Sequence, residues 1–179
     1  MRWIFGIYPD YISARKGAGL LLKEETTPRG SVNVILSQKA LDSTTPVGRG
    51  ADFREITGDT KAKAAAGKAP DIKGPQPADA LSWFDHFVAG TKSVHFSDAG
   101  TVHIAGEVIT AYFEETVSQQ HTDLSIVLSK TGLGHSDAAT YAEKLKHGAV
   151  LLWIRTDQKY VERAISIFEK GKAQNIVQV

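Results

Sequence analysis

Apolar positions along the chain switch between strand and helix spacing. Residues 3–8 form a short aromatic and β-branched run closed by Pro9 and Asp10, which suits a strand followed by a helix N-cap. Within residues 11–25, Ala14, Ala18, Leu21 and Leu22 share one helical face. Gly17 and Gly19 in the same stretch each cost a helix about 1 kcal/mol relative to alanine. Residues 31–37 alternate and then turn continuously apolar, as a half-buried strand does. Near the other end, Ser136 can cap a helix with Ala138, Tyr141, Ala142 and Leu145 on its apolar face, stopped at Gly148. Residues 149–154 are a continuous apolar strand. Asp157 then precedes a helix bearing Tyr160, Val161, Ala164, Ile165 and Phe168 that stops at Gly171, and residues 175–179 close the chain as a strand.

Between these ends the pattern weakens. Residues 40–79 are punctuated by Pro46, Gly48, Gly50, Gly58, Gly67, Pro70, Gly74, Pro75 and Pro77, and a structureless stretch of that length reads as an insertion. Leu81, Phe84, Phe87 and Val88 return at helical spacing, and residues 94–96 and 101–104 read as a hairpin around Ser97-Asp98-Ala99-Gly100. Two short helices are expected after it, one through Val108, Ile109, Tyr112, Phe113 and Val117, the other through Leu124, Val127 and Leu128.

Joining the ends gives an α+β class with the ferredoxin-like order βαββαβ, split by a long central insertion that carries the short helices and the hairpin. The expected divisions are 1–39 for the N-terminal βαβ part, 40–80 for the Pro/Gly/Ala-rich insertion, 81–134 for the inserted hairpin and short helices, and 135–179 for the C-terminal αβαβ part. Two amphipathic helices would then cover one sheet face, leaving the other to water, the insertion or another subunit. Trp3 and Trp153 are the large side chains expected at such an interface.

Composition narrows the functional classes. A chain of 179 residues, 42% hydrophobic and 23% charged, can bury a core of its own. Its 21 basic and 20 acidic residues leave a net charge of +1, which gives no global field for nucleic acid or anionic lipid. Lys61, Lys63, Lys68 and Lys73 are offset by Asp59 and Asp71 and lack interleaved aromatics. The absence of cysteine excludes disulfides, thiolate metal sites and cysteine nucleophiles. No stretch reaches the roughly 20 apolar residues of a membrane span, and the short apolar run at the start lacks the features of a secretion signal. A cytoplasmic protein without a membrane span or nucleic-acid partner is therefore expected.

The run Gly132-Leu133-Gly134-His135-Ser136-Asp137-Ala138-Ala139-Thr140-Tyr141-Ala142-Glu143, followed by Leu145-Lys146-His147-Gly148-Ala149-Val150-Leu151-Leu152, resembles bacterial general stress proteins of the heat-induced type. Residues 98–106 are similar to the central segment of that family, while residues 40–79 have no counterpart in it. The resemblance implies the fold and a stress context. It carries no catalytic residue.

Candidate chemistry is sparse. His95, Asp98 and His103 would approach one another if the hairpin forms, with Asp85 and His86 close in sequence, and such nitrogen and oxygen donors suit a metal site. No HExxH or paired histidine spacing accompanies them. Gly132 to Ser136 could offer backbone N–H groups to an anion, although helix termination and capping explain the same residues. Glu24, Glu25, Glu114 and Glu115 read as solvated helix ends, and no GxSxG elbow occurs. The expected function is a non-enzymatic protein without a cofactor that self-associates or docks on a protein partner. The alternatives are a metal- or haem-dependent enzyme on a dimeric scaffold and a small-ligand regulatory module.

Overall fold

Alternating strand and helix patterns fold into one antiparallel sheet covered by helices on both faces. The computed structural model describes residues 1–24, 31–43, 77–106, 109 and 123–179. Its strands are β1 (Arg2–Tyr8), β2 (Val32–Ser37), β3 (Lys92–Phe96), β4 (Gly100–Ala105), β5 (Val150–Thr156) and β6 (Gln174–Gln178). Its helices are α1 (Tyr11–Lys23), α2 (Gln38–Asp42), α3 (Pro77–Ala89), α4 (Leu124–Lys130), α5 (His135–Lys146) and α6 (Val161–Lys170), with a 3₁₀ turn at Gln158–Tyr160. The strands lie in the order β3-β4-β2-β5-β1-β6, and each neighbouring pair is antiparallel. The architecture is α+β. The expected helix through Val108, Tyr112, Phe113 and Val117, and most of the 40–79 stretch, lie outside the described residues.

Burial on both faces explains why β2 and β5 read as continuous apolar runs rather than strict alternations. Ile4, Tyr8, Val34, Leu36, Leu152 and Ile154 join one core with α1, α3 and α6. Phe5, Ile7, Ile35, Leu151 and Trp153 join the other with α4 and α5, which bring Leu124, Val127, Leu128, Tyr141 and Leu145. The second face, expected to meet water, the insertion or another subunit, is thus covered by α4, which lies in the expected 81–134 insertion, and by α5. Nothing in the spacing of an amphipathic helix tells which face of a sheet it will take.

Several helix ends differ from expectation. The Asp10 side chain caps α1 by accepting from the Ser13 N–H at 2.7 Å. By contrast, the N-cap of α5 is Gly134, two residues before the expected Ser136, and Asp157 precedes the 3₁₀ turn rather than α6 itself. A short helix, α2, follows β2 directly because the Ser37 hydroxyl accepts from the Ala40 N–H at 3.1 Å. Five residues are too few to reveal a helical period.

The two glycines of α1 find a spatial reason. A Cβ on Gly17 would lie 2.3 Å from the Tyr8 hydroxyl and 2.4 Å from its Cζ, and a Cβ on Gly171 would lie 3.0 Å from the Gly17 Cα. The helix meets the end of α6 backbone to backbone above Tyr8. Tyr8 itself is fully buried, tilted against Phe168, and its hydroxyl has no hydrogen-bond partner among the described residues. On the other side of α1, Arg15 and Tyr11 both reach Asp85 of α3, at 2.5 and 2.8 Å. Tyr11 also packs its ring against Phe84.

Gly17→Ala is therefore expected to destabilise the fold by about 1–3 kcal/mol in denaturant unfolding, because overpacking outweighs the gain in helix propensity. Tyr8→Phe should stabilise it by about 1 kcal/mol, since the change removes a buried hydroxyl that nothing satisfies. Burial also raises the Tyr8 hydroxyl pKa above the ordinary value of about 10, and burial together with Asp137 does the same to Tyr141. The unfolded chain ionises first as pH climbs, so this contribution to stability is full below about pH 10 and is lost above it. Chemical denaturation from pH 8 to 11 should show that decline, and show it reduced in Tyr8→Phe.

Candidate functional site

The hairpin β3–β4 carries the candidate metal ligands, and its register decides whether they meet. His95 stands opposite Thr101, and Ser93 opposite His103. Side chains alternate across a strand, so both histidines share one face with these partners while Val102, Ile104 and Phe96 enter the core on the other. His95 Nδ1 contacts Thr101 Oγ1 at 3.2 Å. His103 Nε2 contacts Gln38 Oε1 at 2.6 Å and its Nδ1 lies 3.4 Å from Thr91 Oγ1.

Asp98 has a different task. Its Oδ1 accepts from the Leu124 N–H at 2.7 Å and its Oδ2 from the Ser125 N–H at 2.9 Å. Both oxygens therefore cap α4 from across the hairpin turn, where the preceding Asp123 provides no side-chain cap. Ser97 adds a bond from its hydroxyl to Asp123. A carboxylate at a helix N-terminus satisfies orphan N–H groups and complements the helix dipole. The structure thus does not bring His95, Asp98 and His103 together, and no group of three or more histidine or acidic side chains among the described residues is arranged to hold a metal. Asp85, on α3, is engaged by Arg15 and Tyr11 of α1.

The remaining candidates are also placed. Gly132 takes a left-handed φ of 97°, and a Cβ there would meet Val179 Cγ1 at 2.7 Å, so it serves a turn against the last residue of the chain. Asp137 brings a carboxylate to the first turn of α5, which opposes anion binding at that helix end. Glu24 accepts an ion pair from Arg163 at 2.6 Å, joining α1 to α6. Glu25, Glu114, Glu115, His121 and the Lys61 to Lys73 series lie outside the described residues. Trp153, expected at an interface, is 1% exposed and stacks on Phe5 at 5.4 Å between ring centres. Trp3 is half-buried, with the Arg155 guanidinium over its ring at 5.7 Å.

What sequence reasoning passed over is the edge of the sheet at β6. This strand contains no charged residue, leaves Gln174, Asn175 and Gln178 exposed, and half-buries Ile176 and Val177. Val179 exchanges both backbone bonds with Trp3 at 2.9 Å, so by antiparallel alternation the N–H and C=O of Gln178 point away from β1. The start of the strand is pinned by α5. Tyr141 donates its hydroxyl to the Asn175 carbonyl, and Lys144 reaches the Gln174 and Asn175 side chains at 3.2 Å.

Comparison with protein-family models, with curated proteins and with solved structures yields no match to this chain. Among the described residues no helix is long and apolar enough to cross a membrane.

Asp98→Ala is expected to lower stability by about 1–2 kcal/mol in urea unfolding, the usual cost of a lost cap. His95→Ala, which removes a polar contact at an exposed surface, should change it by less than about 0.5 kcal/mol.

Proposed function

We propose that this chain is a self-associating protein whose copies join through β6, built on a ferredoxin-like core. The order β2-β5-β1-β6, with every pair antiparallel and α1 and α6 on the same face, supports that reading of the core. The hairpin β3–β4 then extends the core beside β2. The resemblance to bacterial general stress proteins supports a stress context for the assembly.

The carrying observation is the unguarded β6 edge. Exposed edge strands template pairing with other chains and are commonly blunted by lysine, proline or inward charge. The opposite edge, β3, has Lys92 and exposed His95, whereas β6 reads Gln-Asn-Ile-Val-Gln. Antiparallel pairing of β6 with a second β6 is isologous and closes as a two-fold dimer with one sheet running through both copies. Flanking lysines, Lys144 and Lys172, sit at the beginning of the strand. A two-fold pairing sets the beginning of one strand against the end of the other and keeps these charges apart.

Sedimentation of the full chain at micromolar concentration should show a dimer. Gln178→Pro removes an outward N–H without touching a bond to β1, and should give a monomer with an unchanged far-ultraviolet circular dichroism spectrum. A wild-type monomer at high micromolar concentration, or a Gln178→Pro dimer of the same affinity, contradicts the reading.

A further inference from the structure

We propose that the groove between α1 and the turn leading from α6 to β6 binds a small anion carrying more than one phosphate group. Lys16 and Lys23 of α1, Lys170 at the end of α6 and Lys172 in the turn after it line a cavity of about 430 Å³, together with Ser13 and Gly171. The volume falls in the range of small-molecule sites. Among the described residues no acidic side chain lines it, and none of the four lysines pairs with a carboxylate. Glu24, the residue after α1, is paired with Arg163.

Helix dipoles account for part of this cluster. Lys23 and Lys170 lie in the last turns of α1 and α6, where cations are favoured without any ligand. Lys16 lies inside α1 and has no such reason. Lys172 is the more telling residue. The Lys172 N–H bonds to the Glu169 carbonyl at 2.8 Å and the Ala173 N–H to the Phe168 carbonyl at 2.9 Å. These are the two bonds of a Schellman motif, whose left-handed position is normally glycine. Here a lysine holds a φ of 66°, while Gly171 just before it has an ordinary φ of −74°. The chain thus accepts an unfavourable backbone conformation at the position that adds a fourth lysine to the groove lining, the pattern expected where strain serves a site.

The ligand class follows from the lining. Four exposed lysines along one groove match a multiply charged anion, and lysines act on phosphate as point charges. The lining contains no aromatic ring, so there is no platform for a base, and a net charge of +1 gives no extended field for a polyanion. The site is separate from the outward edge of β6.

Calorimetric titration of the full chain with inorganic pyrophosphate at low ionic strength should give saturable, sub-millimolar binding. It should exceed binding of inorganic phosphate and weaken as salt is added. Lys172→Gly should raise the thermal midpoint by a few degrees while lowering pyrophosphate affinity at least about tenfold. Lys16→Gln, on the exposed side of α1, should lose comparable affinity without affecting the turn. Absence of saturable binding, or both variants binding as the wild type does, overturns the proposal.

Discussion

The close approach of α1 to the end of α6 is the constraint on which the rest of the molecule turns. Gly17 and Gly171 meet with no room for a side chain, directly over the Tyr8 ring. Three consequences are tied together there. Tyr8 at the end of β1 is sealed with an unsatisfied hydroxyl, α1 tolerates glycine against its propensity, and the turn after α6 is held at a fixed height above the sheet. Packing of this kind trades helix propensity for interior density.

The turn held by that contact has two products. On its outer side it lifts Lys172 beside the α1 lysines and forms the basic groove. On its inner side it delivers the chain into β6, which is registered on β1 through the Trp3 and Val179 bonds and fastened to α5 by Tyr141 and Lys144. An edge strand fixed at both ends is pre-organised for pairing, which reduces the ordering cost that association must offset. Binding at the groove and pairing at the edge use different atoms of one short segment.

Much of the fold was legible where local chemistry and periodicity agree. The strands Arg2–Tyr8 and Val32–Ser37 and the hairpin around Asp98 carry their own turn signals, and the helix with Val161, Ala164 and Phe168 on one face carries its own period. Long-range properties were not legible. Gly17 reads as a flaw in a helix until Tyr8 is seen beneath it, and Trp153 reads as an interface residue until α4 and α5 are seen above it. Asp98 has the chemistry of a metal ligand, and only the position of α4 shows that its oxygens are spent on two N–H groups. The basic groove was invisible for the same reason, because its lysines are far apart in the chain and lysine gives no sign of a left-handed backbone.

Hydrogen exchange at the Gln178 amide tests self-association through β6 most directly. That N–H faces outward, whereas the neighbouring Val179 amide bonds to Trp3 within the same chain and serves as an internal reference. The account predicts that Gln178 exchange slows markedly as protein concentration rises while Val179 stays constant. Equal Gln178 exchange at every concentration would contradict it.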